Sequence, residues 1–237
     1  MADLDMLRNV LQQTQSPDQA QRREAEEYLG KAERQPGYPQ VLVRLIEQHC
    51  AGTTPGDRSV RTLGAILFKN LVKRSWEAPD DDDKENSMSE QDKAYIKGTI
   101  VHIMCVAPPE VQRQFSEALA IISKHDFPKK WPILLPDLVG QFGSADYHVV
   151  LGVLLTANSI FKRFRYVFKS DELYEELAYV LKHVQAPLLE LFRRTSEAAM
   201  APSNDTARLT TLFEALRLMA RIFFSLNWQA RRLLFAN

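Results

Sequence analysis

Between two strongly amphipathic segments the chain reads Ser123-Lys124-His125-Asp126-Phe127-Pro128-Lys129-Lys130-Trp131-Pro132-Ile133-Leu134-Leu135-Pro136. Each of its prolines removes a backbone donor and crowds the preceding turn, so a helix cannot run through the stretch undisturbed. Asp126 is placed to cap incoming N–H groups and Pro128 suits a first helical turn, which predicts that the next helix begins irregularly or kinked. A side chain as large as Trp131 at such a corner is expected to wedge between neighbouring helices and fix the angle at which one pair meets the next. A structured corner between amphipathic helices is a feature of repeat proteins.

The remainder of the chain carries apolar residues at a period near 3.6 and lacks alternating β-branched runs, so the fold class is all-α, with about ten helices. The first is expected over Asp3 to Gln13. A second opens at Ser16-Pro17, turns Ala25, Tyr28 and Leu29 inward, and ends at Gly30 and Pro36-Gly37. Tyr38 to Cys50 pairs with a helix from Asp57 to Trp76, whose stripe reads Val60, Leu63, Ile66, Leu67 and Leu71. Helix resumes near Ser89 through Tyr95, Ile96, Ile100, Ile103 and Met104. Its partner buries Val111, Phe115, Leu119 and Ile122. Two further pairs are expected: Ile133 to Phe142 with Asp146 to Phe168, and Asp171 to about Glu197, bent at Pro187, with Asn204 to Leu226.

The second members start near Pro17, Asp57, Pro109, Ala145 and Asn204, a spacing of about forty to fifty residues that fits HEAT or armadillo units. One pair cannot bury both of its apolar flanks, so the expected architecture is an α-solenoid of about five HEAT-type antiparallel pairs. It forms a single domain over 1–237, whose inner layer is a binding surface. The block Ala78 to Glu90, with Asp80 to Asp83 consecutive, repels itself and is expected to be a flexible loop; it lacks the glycine and distal glutamate of a calcium site.

Composition narrows the function. Thirty basic residues balance thirty acidic ones among 237, so no whole-chain field favours nucleic acid or an anionic membrane. The start Met1-Ala2-Asp3-Leu4-Asp5 is unlike a secretory leader, and the most apolar window, Val149 to Phe161, is too short to span a bilayer. Cys50 and Cys105 lack metal-ligand spacing and read as buried structural thiols in a reducing compartment. Asn204-Asp205-Thr206 matches a glycosylation sequon, but Ser203 or Asn204 serves equally as a helix cap.

No catalytic constellation is visible. His49, His102, His125, His148 and His183 stand singly, and no glycine-rich phosphate loop exists, so neither an enzyme nor a cofactor is expected. In Phe161-Lys162-Arg163-Phe164-Arg165-Tyr166-Val167-Phe168-Lys169 the mix of bases and aromatics could stack on single strands. Helical spacing favours another reading: Phe161, Phe164 and Phe168 continue the stripe of Val150, Val153, Leu154 and Ala157, leaving Lys162, Arg163, Arg165 and Lys169 on a solvated face. Lys69, Lys73 and Arg74 oppose the dipole at the end of the fourth helix, and would equally suit an acidic protein partner.

Several of these segments resemble one family. Ala25-Glu26-Glu27-Tyr28-Leu29, Tyr38-Pro39, Leu67-Phe68-Lys69-Asn70-Leu71-Val72-Lys73-Arg74-Ser75-Trp76 and Lys93 through His102 resemble the N-terminal domain of the importin-β, or karyopherin-β, transport receptors, which are HEAT-repeat solenoids. Asp126-Phe127-Pro128-Lys129-Lys130-Trp131-Pro132, Phe161 through Arg165 and Phe168-Lys169-Ser170-Asp171-Glu172-Leu173 resemble its export branch. The resemblance divides the chain into about 25–102 and about 103–228, and leaves Ala230 through Asn237 divergent within a tail of 229–237. It suggests a truncated or alternatively terminated product, exposed on its last apolar flank and prone to self-association.

The resemblance implies a nuclear transport receptor that shuttles between nucleus and cytoplasm, binds the GTPase Ran in its GTP form, and re-exports importin-α. It implies Lys69, Lys73 and Arg74 as the GTPase-facing residues, with Asn70 bracing the helix pair. Nucleoporins are further implied partners, and this length offers too little of the arch to hold importin-α alone. An import receptor of the same family and a HEAT scaffold that does not bind Ran are the competing expectations.

Overall fold

The computed structural model describes residues 4–77, 87–167 and 170–234. The first residues of the chain, most of the acidic block (78–86), Phe168, Lys169 and residues 235–237 lie outside them, as do the side chains of 229–234. Ten α-helices are present among the described residues: α1 (Leu4–Gln13), α2 (Gln19–Ala32), α3 (Tyr38–Cys50), α4 (Pro55–Ser75), α5 (Glu90–Val106), α6 (Pro109–Asp126), α7 (Leu134–Gly140), α8 (Tyr147–Phe161), α9 (Asp171–Met200) and α10 (Thr206–Leu234). The chain divides into two compact units, residues 1–125 and 126–237.

In the first unit α1 packs on α2 and α3 on α4. Stacking between pairs runs α1 to α3, α3 to α5 and α1 to α4. Sequence explains the closest of these pairs. Gly64 lets α4 approach α3 until a Cβ at that position would lie 2.8 Å from Ile46 Cγ1. The buried face of α4 therefore runs Val60, Gly64, Ala65, Phe68, Leu71 and Val72, while Leu63, Ile66 and Leu67 are only half-buried on its flanks. This corrects the stripe expected from residue size, because close approach selects small residues at the centre of the contact. Phe68 stacks on Phe115 of α6 with ring centroids 4.6 Å apart, and the predicted α6 stripe of Val111, Phe115, Leu119 and Ile122 is wholly buried.

In the second unit α7 packs on α9, α8 on α10 and α9 on α10. Asp126 ends α6 instead of capping a new helix, and α7 begins at Leu134 with no side-chain cap. Turn bonds from Lys130 N–H to Asp126 O (2.7 Å) and from Trp131 N–H to Pro128 O (3.3 Å) build the corner, and the Phe127–Pro128 bond is cis. Phe127 and Trp131 are buried there. Pro136 is accepted in the first turn of α7, which is short and tightens into a 3₁₀ turn at Gln141–Gly143.

Other expected boundaries move for local reasons. Gly30 sits inside α2, which Asp18 caps through the Ala20 N–H. Thr54, not Asp57, starts α4. Tyr28 is half-buried. α8 stops at Phe161 and becomes a 3₁₀ turn over Lys162–Arg165. α9 keeps Pro187 in its interior and continues to Met200. Asp205, accepting from Arg208 N–H at 3.0 Å, precedes α10 in place of Ser203 or Asn204.

Candidate protein-binding surface at the end of α4

α4 is fixed at its start so that its end projects a defined set of bases. The Thr54 hydroxyl accepts from the Asp57 N–H at 3.1 Å. The Asp57 carboxylate in return accepts from the Thr54 N–H at 3.3 Å and from its hydroxyl at 2.6 Å. This reciprocal arrangement satisfies donors that a helix start leaves open. His49 Nδ1 lies 2.7 Å from Asp57 Oδ1. The Thr54 hydroxyl first, and His49 after it, hold the Asp57 carboxyl down at about 2.

At the other end, Lys69 and Lys73 form one row of the helix surface and Asn70 and Arg74 the adjacent row, each pair one turn apart. Lys73 and Arg74 are exposed, whereas Lys69 and Asn70 are half-buried. The Arg74 Nη2 donates to Glu33 Oε2 at 2.6 Å. The Lys69 ammonium lies 3.7 Å from the Glu117 carboxylate. The expected bases are thus brought together on one surface, but two of them face carboxylates: Glu33 just beyond α2 and Glu117 on α6.

The surface continues past α4 through Trp76, Lys93 and Lys97, which the resemblance touches but which were not expected at the basic surface. Trp76 closes the helix by donating its N–H to Val72 O at 3.1 Å, and its buried indole lies beneath the Lys93 and Lys97 ammonium groups, 5.9 and 5.8 Å from the ring centroid. Lys93 and Lys97 stand one turn apart on α5, a spacing that could have revealed them as a row. Glu77 meets His125 at 2.7 Å. Beside Glu33, an open depression of about 360 Å³ is lined by Tyr28, Lys31, Gln35, Pro36, Tyr38 and Val41 among others. Burial first, then the Glu33 charge, pushes the Tyr38 phenol up. Gly37, at φ 81°, starts α3 there and donates its N–H to the buried Asp92 carboxylate at 3.3 Å.

The segment after α8 is less solvated than its spacing suggests. Phe161 and Phe164 are buried as expected. Arg163, whose pKa burial lowers, is half-buried against Glu176. Arg165 donates to Ser225 Oγ (2.9 Å) and Arg221 O (3.0 Å) and lies over the Phe224 ring. These arginines are consumed by α9 and α10, which ends the reading of them as a solvated face. Phe168 and Lys169 fall outside the described residues.

His49 and His125 do not stand alone, since folding brings Asp57 and Glu77 to them. Both pairs tie structural elements together. Burial raises the Cys50 and Cys105 thiols to about 11, so they stay protonated and unreactive near neutrality. Among the described residues no cluster of histidine, cysteine and carboxylate could hold a metal ion, and no helix is long and apolar enough to cross a membrane.

Residues 25–106 match the importin-beta N-terminal domain, and residues 160–235 match the Cse1 domain. The chain is 41% identical over 228 residues to exportin-2 of Homo sapiens and of Bos taurus, covering 96% of this chain and 23% of each relative. Its structure is similar to that of the exportin Cse1 in its cargo-free, cytoplasmic state, with a TM-score of 0.85 at 32% identity over 96% of this chain and 24% of that one. It is also similar to importin beta, with a TM-score of 0.60 at 18% identity over 93% and 24%, which bears on the fold alone.

The fold is that of the HEAT-repeat solenoids, and its class is that of the karyopherin-type transport receptors. Within that class the chain is exportin-2-like. It spans about a quarter of the length of these relatives, which are transport proteins and not enzymes.

Proposed function

We propose that this chain forms the GTPase-facing part of an export receptor, with its helix pairs in one continuous run of repeats over 1–237. In this reading Lys69, Lys73 and Arg74, with Asn70 bracing the helix pair among them, receive Ran in its GTP form, importin-α is the cargo carried out of the nucleus, and the protein shuttles between nucleus and cytoplasm. The supporting observation is the cluster of bases at the end of α4, with Lys73 and Arg74 exposed and Lys69 half-buried, on a helix secured at its start by Thr54, Asp57 and His49, in a chain 41% identical to exportin-2. Cationic side chains on a rigid helix favour an acidic protein surface and speed its encounter.

The test is capture of purified Ran, loaded with GTP or with GDP, with and without importin-α. Preferential capture of the GTP form, weakened by Lys73→Glu with Arg74→Glu, is the expected result. Equal capture of the two nucleotide states overturns the reading.

A further inference from the structure

The bases at the end of α4 do not meet a partner unopposed. Arg74 is hydrogen-bonded to Glu33 at 2.6 Å, and the side chains of both keep part of their surface in solvent. Lys69 lies 3.7 Å from Glu117, whose side chain is 55% exposed. Lys73 stands exposed one turn beyond Lys69. Among the described residues, three bases therefore share their surface with two acids, contributed by the end of α2 and by α6. An acidic partner must take Arg74 from Glu33 and Lys69 from Glu117, and it meets the repulsion of both carboxylates as it does so.

We propose that Glu33 and Glu117 act as an electrostatic gate on this surface, occupying Arg74 and Lys69 in the free protein and raising the threshold for an acidic protein partner. The inference rests on the proposed Ran-facing role of α4 and adds its regulation. The two pairs differ in a useful way. Glu33 holds its base by a short charge-assisted bond and competes directly. Glu117, too far from Lys69 for a hydrogen bond, acts through its field and can do little to position the base. The gate selects partners whose carboxylates are numerous enough to replace both acids, and it disfavours small single anions. That is a specificity device built from repulsion as much as attraction.

The experiment measures the affinity of GTP-loaded Ran for the wild-type chain, Glu33→Gln, Glu117→Gln and the double variant at low and moderate salt. Glutamine keeps the shape of the side chain and removes the charge. Glu214→Gln on α10, whose carboxylate pairs with Arg217, controls for a change of one unit in net charge. Each gate variant is expected to bind about two- to fivefold tighter, the range spanned by exposed ion pairs. The gain should shrink as salt rises, while the control stays at the wild-type value.

An unaltered unfolding midpoint keeps a loss of structure from mimicking the effect. Wild-type binding with unchanged or weaker binding by the gate variants overturns the gate and leaves the α4 reading intact, since weaker binding would mean that the acids position the bases. Failure of every form to distinguish GTP-loaded from GDP-loaded Ran overturns the α4 reading and the gate together.

Discussion

Arg61 of α4 donates to Glu110 Oε1 of α6 from two guanidinium nitrogens, Nε at 3.0 Å and Nη2 at 2.8 Å, while its Nη1 reaches His49 O at 3.2 Å and Gly52 O at 2.5 Å. One side chain, 8% exposed, thus closes the end of α3, the α3–α4 turn and the start of α6. Burial alone would raise the Glu110 carboxyl, yet backbone and Arg61 hydrogen bonds outweigh it and the net shift is downward.

Replacing Arg61 by methionine is expected to destabilise the chain by about 2 kcal/mol, the range for a hydrogen bond to a charged group. Arg61→Lys should recover only part, because a point charge cannot reproduce the fork. Urea unfolding monitored by circular dichroism measures both.

Gly64 and Gly98 should respond to alanine with opposite signs. At Gly98, on α5, nothing lies within 4 Å of the added methyl, so Gly98→Ala gains the helix preference of alanine, about 1 kcal/mol. At Gly64 the methyl meets Ile46 at 2.8 Å and must push α3 away from α4. The unfolding midpoint is therefore predicted to rise for the first variant and fall for the second.

Phe115 is fully buried and stacked on Phe68. Phe115→Ala leaves a cavity between α4 and α6, with an expected loss of about 3–5 kcal/mol. Phe115→Leu fills most of the volume and forfeits mainly the ring pair, about 1 kcal/mol. Paired denaturation curves distinguish the two contributions.

Asp57 makes a prediction about acid stability. Its carboxyl sits at about 2 in the folded chain against an ordinary 3.8, chiefly because of the Thr54 hydroxyl and then His49. A depressed folded value gives stabilisation that is fully present above about pH 5 and is lost as pH falls from about 4 to 2. The thermal midpoint of Thr54→Val should accordingly lie below that of the wild type at pH 6, and the gap should narrow toward pH 2. A gap that is constant across this range would show that the hydroxyl does not act through the carboxylate.

Much of the helical framework was legible in the sequence, and the exceptions share physical causes. α3 appears over the predicted Tyr38–Cys50 because Gly37 and Pro39 mark its start and its apolar period is strong. The α6 stripe was readable for the same reason. The α4 stripe was misplaced because Gly64 and Ala65 carry little hydrophobic weight, although their small size creates the contact with α3. α8 could not be seen to stop at Phe161, since Arg163 and Arg165 there answer to Glu176 and Ser225 on later helices. At the candidate surface the bases were evident as rows on one helix. Glu33, 41 residues from Arg74, could be assigned to it only after folding.

The Met88 N–H donates to Ser75 O at 2.7 Å, which fastens the two ends of the acidic segment to each other at the exit of α4. Because doubling the length of a connection costs only about 0.6 kcal/mol, residues added between these fastened ends are expected to leave α4 and α5 in their places. The position is a natural insertion point, where a reporter or an extra binding sequence can be grafted beside the basic surface.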